Sequence, residues 1–232
     1  MNKKIAYVCC IFFIQLLFVG CEETQIDNDI RVLVKGNVID QTSSPVSNVH
    51  IEIYTDTNSS LSDRVLVGEG YSNAAGEFNI TSLFGPNDLF YILISADNQY
   101  STYRYQTSTE EYTPNDLLFD LQTVELAQLA VFNYSITKES DDDMTLDYIF
   151  RFIEPYCFEI FEEDVINEAA SSCFEVKQFS GQLNNLNPNV EDGQILVPLQ
   201  SQVEFIYSTN EGEQTSQIID VNTLEHAFQF NY

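Results

Sequence analysis

The sequence predicts an all-β protein, two β-sandwiches in tandem behind an N-terminal export signal. Three observations carry the prediction. Apolar and polar residues alternate over short runs, the pattern of half-buried strands: Val49, Ile51 and Ile53 share one side, while His50, Glu52 and Tyr54 share the other. The runs recur at short intervals with Gly, Asn, Asp, Ser or Pro between them, as in sandwiches and barrels. Finally, 17 Phe and 13 Tyr, with no Trp, give 13% aromatics, a composition suited to pleated surfaces. Of the 232 residues 44% are hydrophobic, enough for a packed core.

The N-terminus opens with Met1-Asn2-Lys3-Lys4, and residues 5–19 are apolar except for Gln15. That run is short for a membrane span and fits an export signal. It ends in Leu17-Phe18-Val19-Gly20-Cys21, which resembles the lipobox of bacterial lipoproteins. The resemblance implies a signal peptide over 1–20, cleavage before Cys21, and acyl chains, palmitate among them, on the Cys21 sulfur and amine. Several chains anchor far more firmly than one. The alternative is an ordinary secretory signal with an incidental cysteine. Residues 21–29 read as an acidic tether. The tether resembles the signals that send some Gram-negative lipoproteins to the outer face of the outer membrane. The expected location is therefore the outer membrane, lipid-anchored and facing the cell surface, with the periplasmic face as the alternative.

Strands are expected over 31–39, 49–54, 65–71, 78–80, 90–96, 100–106 and 117–126. The run 90–96 is nearly continuous in apolar residues, as for a central strand covered on both faces. Three segments form an ordered series: Val34-Lys35-Gly36-Asn37-Val38-Ile39-Asp40, Pro45-Val46-Ser47-Asn48-Val49-His50-Ile51 and Asn73-Ala74-Ala75-Gly76-Glu77-Phe78-Asn79-Ile80. With a further strand ending near Tyr100, the series resembles the carboxypeptidase regulatory-like domains. These are transthyretin-like sandwiches of seven or so strands, close in kind to immunoglobulin-like ones. The resemblance covers 30–126. It implies a non-catalytic module that accompanies enzymes, transporters and surface lipoproteins. In physical terms, Gly36 marks a bulge or a passing backbone, Pro45 fixes a turn, Gly76 supplies a positive φ, and Phe78 plugs the core behind it.

Residues 127–232 form the second β-rich region. Strands are expected over 127–137, 144–153, 173–179, 194–199, 202–208, 217–221 and 227–231, with a short helix over 163–172. A second sandwich is the leading expectation; one sheet continuous with the first domain is the other.

Of five cysteines, Cys9 and Cys10 leave with the signal and Cys21 takes lipid. Cys157 and Cys173 remain, an even number in an oxidising compartment, and are expected to form a disulfide; two buried free thiols are the alternative. No metal or cofactor is expected. His50, on a strand's polar face, and His226, opening the last strand, each read as a surface residue in preference to a catalytic base, and no nucleophile elbow, zinc-protease helix or phosphate-binding loop is present. Asp141-Asp142-Asp143 reads as a solvated acidic loop in preference to a Ca²⁺ site. Tyr100, Tyr103, Tyr105 and Tyr112 pack across strands or form a recognition surface.

Nine Lys and Arg against 36 Asp and Glu give a net charge of −27. Without residues 1–20, which hold Lys3, Lys4 and no acid, it is −29. Such a surface repels nucleic acid. The functional expectation is a non-enzymatic, membrane-anchored accessory or binding module. Its partner would be an outer-membrane transporter or an extracellular protein or glycan. A structural or adhesive spacer and an unrecognised carboxylate-based hydrolase are the alternatives.

Overall fold

The computed structural model describes residues 30–56, 64–85, 89–108, 116–139, 142–162, 165–210 and 212–232. The expected signal peptide, Cys21, the tether, Tyr112 and Asp141 lie outside the described residues. The architecture is all-β, in sandwiches, as the alternation predicts. The one helical piece among the described residues is a 3-10 turn at Asp97–Gln99. No helix among them is long and apolar enough to cross a membrane.

The first sandwich contains seven strands: β1 (Ile30–Asp40), β2 (His50–Asp56), β3 (Arg64–Tyr71), β4 (Glu77–Phe84), β5 (Leu89–Ser95), β6 (Thr102–Ser108) and β7 (Leu118–Leu126). One sheet has the order β4-β1-β7. β4 is antiparallel to β1, and β7 is parallel to it. The facing sheet runs β3-β2-β5-β6 with antiparallel neighbours. Alternation puts Val32, Val34 and Val38 on the inner face of β1, and Ile51 and Ile53 on that of β2. Phe84, Phe90 and Phe119 close one end of this core, with ring centroids 4.9–5.6 Å apart.

Gly36 and Gly76 do what their positions suggested. Gly76 has φ +80°, and a Cβ there would collide with the Val38 carbonyl. Asn73 completes the turn, its Oδ1 accepting from the Ala75 and Glu77 amides at 2.8 and 3.0 Å. Gly36 lies beneath the Phe78 ring, 2.7 Å from where a Cβ would sit. It also faces a bulge in β7: Lys35 pairs with Asp120 and Asn37 with Thr123, so Leu121 and Gln122 oppose a single residue. Gln122 takes a left-handed conformation there, φ 52°.

The second sandwich contains β8 (Leu129–Thr137), β9 (Leu146–Ile153), β13 (Val176–Leu183), β14 (Val190–Pro198), β15 (Ser201–Thr209), β16 (Thr215–Val221) and β17 (Glu225–Asn231). Its sheets run β14-β8-β17 and β13-β9-β15-β16. Strand for strand, this repeats the order and the directions of β1 to β7, including the parallel closing strand, β17 on β8. Its core packs Ile, Leu and Val around a cluster of rings, with Phe132, Phe150 and Phe205 fully buried.

The remaining strands are β10 (Tyr156–Glu162), β11 (Val165–Ile166) and β12 (Ser172–Cys173). They occupy an excursion between β9 and β13. β10 runs parallel to β6, pairing Tyr156 with Thr102 through to Phe161 with Thr107. β11 and β12 both pair with β10. The second half of the chain thus lends the first sandwich three strands, and the division expected after residue 126 is crossed by this one segment. The helix expected over 163–172 does not form. Asn167 ties off a single turn, its Oδ1 and carbonyl accepting from the Ala170 and Ser171 amides. The Ser171 hydroxyl then accepts the Ile160 amide at 2.9 Å, which holds the chain to β10.

Candidate functional site

The excursion makes one sheet of the first sandwich wider than the other. β10 and its partners extend past β6, while the facing sheet stops at β7. Strands lie about 4.8 Å apart, so the overhang is on the order of 10 Å wide. Between the edge of β7 and the inner face of β10, among the described residues, lies a half-open cleft of about 960 Å³. All of residues 118–125 line it. Successive strand residues point to opposite faces, so eight in a row border one cleft only if it runs along the strand's edge.

Across the cleft, β6 contributes Tyr103 and Tyr105, and β10 contributes Cys157, Glu159 and Phe161. Cys157 and Cys173 are cross-strand partners joined as a disulfide, sixteen residues apart in sequence. The bond pins the excursion's return strand to β10. Phe174, next to it, has φ 54° and packs against the core from the cleft side. The Tyr103 hydroxyl donates to Glu159. Burial first, then this hydrogen bond, pushes the Tyr103 phenol above its ordinary range, so it remains a neutral donor. Lys35 pairs with Asp120 at 3.0 Å. Asp116 and Glu125 complete an acidic rim, and among the described residues no lysine or arginine lines the cleft.

The lining mixes apolar and polar surface, with carboxylates along its margins. Cys157, Glu159 and Cys173 stand close enough to share an ion, but the two sulfurs are bonded to each other. The histidines do not converge. His50 stacks on Tyr71 at 4.7 Å, between Glu52 and Glu69, on the outer face of the first sandwich. His226 stacks on Phe132 at 5.5 Å in the second. Asn185 donates to Asp143 and accepts from Lys138, tying down the acidic loop. Tyr103 and Tyr105 are buried and pack across the cleft wall, so they form no exposed tyrosine patch.

Among the expected site residues, the structure brings Cys157 and Cys173 together. Sequence reading missed Glu159, Phe161 and the β7 edge. The run Tyr-Cys-Phe-Glu-Ile-Phe of β10 is rich in strand-forming residues and carries that signal, but not its destination.

No protein-family profile matches the chain, and no curated protein matches it. Solved structures similar to it include a 9R-lipoxygenase from Cyanothece, 14% identical, with a TM-score of 0.30 over 50% of this chain and 20% of that one. Another is the TIE protein of Bacillus anthracis, 10% identical, TM-score 0.32, covering 88% and 34%. A third is the shaft pilin SpaA of Lactobacillus rhamnosus GG, 8% identical, TM-score 0.33, covering 87% and 98%. The chain thus spans about a fifth and a third of the first two. With TM-scores near 0.3, none of these likenesses bears on function. The structure itself defines the class: a seven-stranded β-sandwich that occurs twice in tandem among the described residues.

Proposed function

We propose that this protein is a non-enzymatic, lipid-anchored binding module of a bacterial outer membrane, tethered through Cys21 and holding its sandwiches clear of the bilayer on residues 21–29. The observation that carries the binding role is the seam of the first sandwich: a cleft of about 960 Å³ among the described residues, lined by apolar and polar side chains together with Asp116, Asp120, Glu125 and Glu159. Lys3-Lys4, the apolar run and Leu17-Phe18-Val19-Gly20-Cys21 support the anchor. The ordered series from Val34 to Ile80 supports kinship with carboxypeptidase regulatory-like modules, and seven strands in two sheets suit that reading. The net charge of −29 after signal removal favours cationic protein surfaces in the envelope or outside it. An outer-membrane transporter or a secreted protein is the fitting partner, and nucleic acid is not.

The anchor is tested by Cys21→Ser. The wild-type protein is expected to fractionate with membranes and to carry acyl mass. The variant is expected in the soluble fraction without it, and a variant that stays in membranes with unchanged mass overturns the anchor. Binding is tested by crosslinking on intact cells: one stoichiometric protein partner is expected. A second reading, a spacer that lifts other domains from the surface, is favoured by the duplicated fold. It predicts no stoichiometric partner.

A further inference from the structure

We infer that Cys157, Cys173 and Glu159 form a zinc site when their disulfide is reduced, and that oxidation of the two sulfurs releases the ion. The site belongs to the excursion and does not rest on the binding-module reading above.

Three observations lead to it. First, the donors converge. The sulfurs of Cys157 and Cys173 and a carboxylate oxygen of Glu159 all lie within 4.8 Å of one another. Cys157 and Glu159 are two apart on β10, so their side chains leave the same face. Cys173 reaches them from β12, directly opposite Cys157. Two thiolates on a tetrahedral zinc ion, each at about 2.3 Å, stand about 3.8 Å apart. The sulfurs need only part from bonding to van der Waals contact for the ion to enter.

Second, the backbone holds the donors together without the bond. Cys157 pairs with Cys173, and Phe158 with Ser172. The Phe174 amide donates to the Tyr156 carbonyl at 2.9 Å, and the Asn167 amide to the Ile160 carbonyl at 2.8 Å. The Ser171 hydroxyl accepts the Ile160 amide. β10 is itself paired to β6 from Tyr156 to Phe161. The reduced loop therefore keeps its two thiols side by side.

Third, the surroundings suit both steps. Cys157 is buried and Cys173 is exposed, and exposed disulfides are the ones open to exchange. The reductant is a dithiol. Its thiolate attacks the Cys173 sulfur and displaces Cys157; its second thiol then frees Cys173 and leaves as a disulfide. Two electrons and two protons pass to the cysteines. Zinc binding expels those two protons, one from each thiol. A disulfide-bearing oxidant takes the two electrons back, the sulfurs rejoin, and the ion departs. Glu159 adds the third donor. Among the described residues its partner is the Tyr103 hydroxyl, a neutral donor that orients the carboxylate without cancelling its charge. Two thiolates select Zn²⁺ over Ca²⁺ and Mg²⁺, which take oxygen donors. Water fills the fourth position.

The test uses the intact chain in detergent, reduced with a water-soluble phosphine and desalted without oxygen, with Zn²⁺ and Co²⁺ as probes. The reduced chain is expected to bind one equivalent of either ion, Co²⁺ giving the sulfur-to-cobalt charge-transfer absorption. The oxidised chain and a Cys157→Ser, Cys173→Ser variant should give neither. Glu159→Gln should weaken zinc binding at least tenfold, and Tyr103→Phe by less, with circular dichroism checking each fold. Zinc should raise the urea midpoint of the reduced wild-type chain, because it binds the folded form. Wild-type affinity in Glu159→Gln means that the thiols alone take the ion and overturns the inference. Equal binding by the oxidised chain or by the double-serine variant places the ion elsewhere and also overturns it. Should Glu159→Gln fail to fold, the urea midpoint decides: no rise with zinc overturns the inference. So does loss of hydrogen-exchange protection in β10 on reduction without any zinc uptake.

Discussion

In the first sandwich a three-stranded sheet faces a sheet widened to seven strands, and a cleft of about 960 Å³ opens beside β7. In the second, three strands face four, and the hollows on its surface are smaller, about 350 and 200 Å³. Strand order and direction are the same in both. The difference comes from 22 residues, 154–175, inserted between β9 and β13 and laid on the neighbour's edge. The repeat teaches that the fold alone does not make the site. The same topology carries a wide cleft in one copy and smaller hollows in the other, according to where one insertion docks. The cores differ in where their rings gather. The first relies on Val and Ile with a knot of three Phe at one end. The second is a network of rings around Phe150, which meets Tyr134 at 4.5 Å, Phe205 at 4.8 Å and Phe179 at 5.4 Å.

That contrast is broken or sharpened by four measurements. The largest effect is expected from Phe150→Ala. Phe150 is fully buried, and its loss should cost about 3–5 kcal/mol. Urea unfolding followed by tryptophan-free tyrosine fluorescence should show the second sandwich melting first in the variant. A loss under 1 kcal/mol would mean that the ring network is not what holds that core.

Next comes the double variant Cys157→Ala, Cys173→Ala. The disulfide closes a loop of sixteen residues, and the chain-entropy estimate for such a loop is about 3 kcal/mol. The loss should fall on the first sandwich, whose sheet carries β10, although both cysteines belong to the second half of the chain. Hydrogen exchange locates it: amides of β6 should lose protection more than those of β16. The reverse order contradicts the assignment of the excursion to the first sandwich.

Ser72→Ala should cost about 2 kcal/mol. The buried Ser72 hydroxyl accepts the Val49 amide at 2.9 Å and donates to the Val46 carbonyl at 2.8 Å, so its removal orphans two backbone groups. Thermal melting measures this, and Ser72→Thr should recover part of it.

The smallest effect appears in alkali. The Tyr54 phenol is pushed up to about 12 from its ordinary 10, by the hydrogen bond it donates to Glu52 and then by burial. Tyr103 is raised by burial and by Glu159. The unfolded chain ionises these phenols near pH 10, whereas the folded chain keeps them neutral. Their stabilisation is therefore whole below pH 10 and is lost as the pH rises toward 12. Urea midpoints should fall over that window, and less steeply in Tyr54→Phe. An identical slope in the variant would show that Tyr54 contributes nothing.

Much of the fold was legible along the chain. Val49, Ile51 and Ile53 alternate because a strand's side chains alternate, and their burial follows. Gly76 announced its left-handed turn, and the apolar run 90–96 its place inside a sheet, as β5 between β6 and β2. The site was less legible. Tyr103 and Tyr105 read equally as surface or core until β10 was placed beside β6. Nothing local in 156–162 says which edge it seeks, because parallel pairing between residues 54 positions apart is a non-local choice. The expected helix over 163–172 failed for a related reason: Asn167 and Ser171 bond to a turn and to β10 in place of a helix.

By itself, the sequence determined the strands, the acidic charge, the pairing candidates Cys157 and Cys173, and the motif at Cys21, because each depends on residues near one another or on composition. The tertiary structure alone decided that the fold occurs twice, that the excursion crosses from one copy to the other, and that a cleft lies between β7 and β10. Those outcomes depend on which of several equivalent edges a strand joins. Edges offer the same backbone groups everywhere, so only the packing of the whole chain tells them apart.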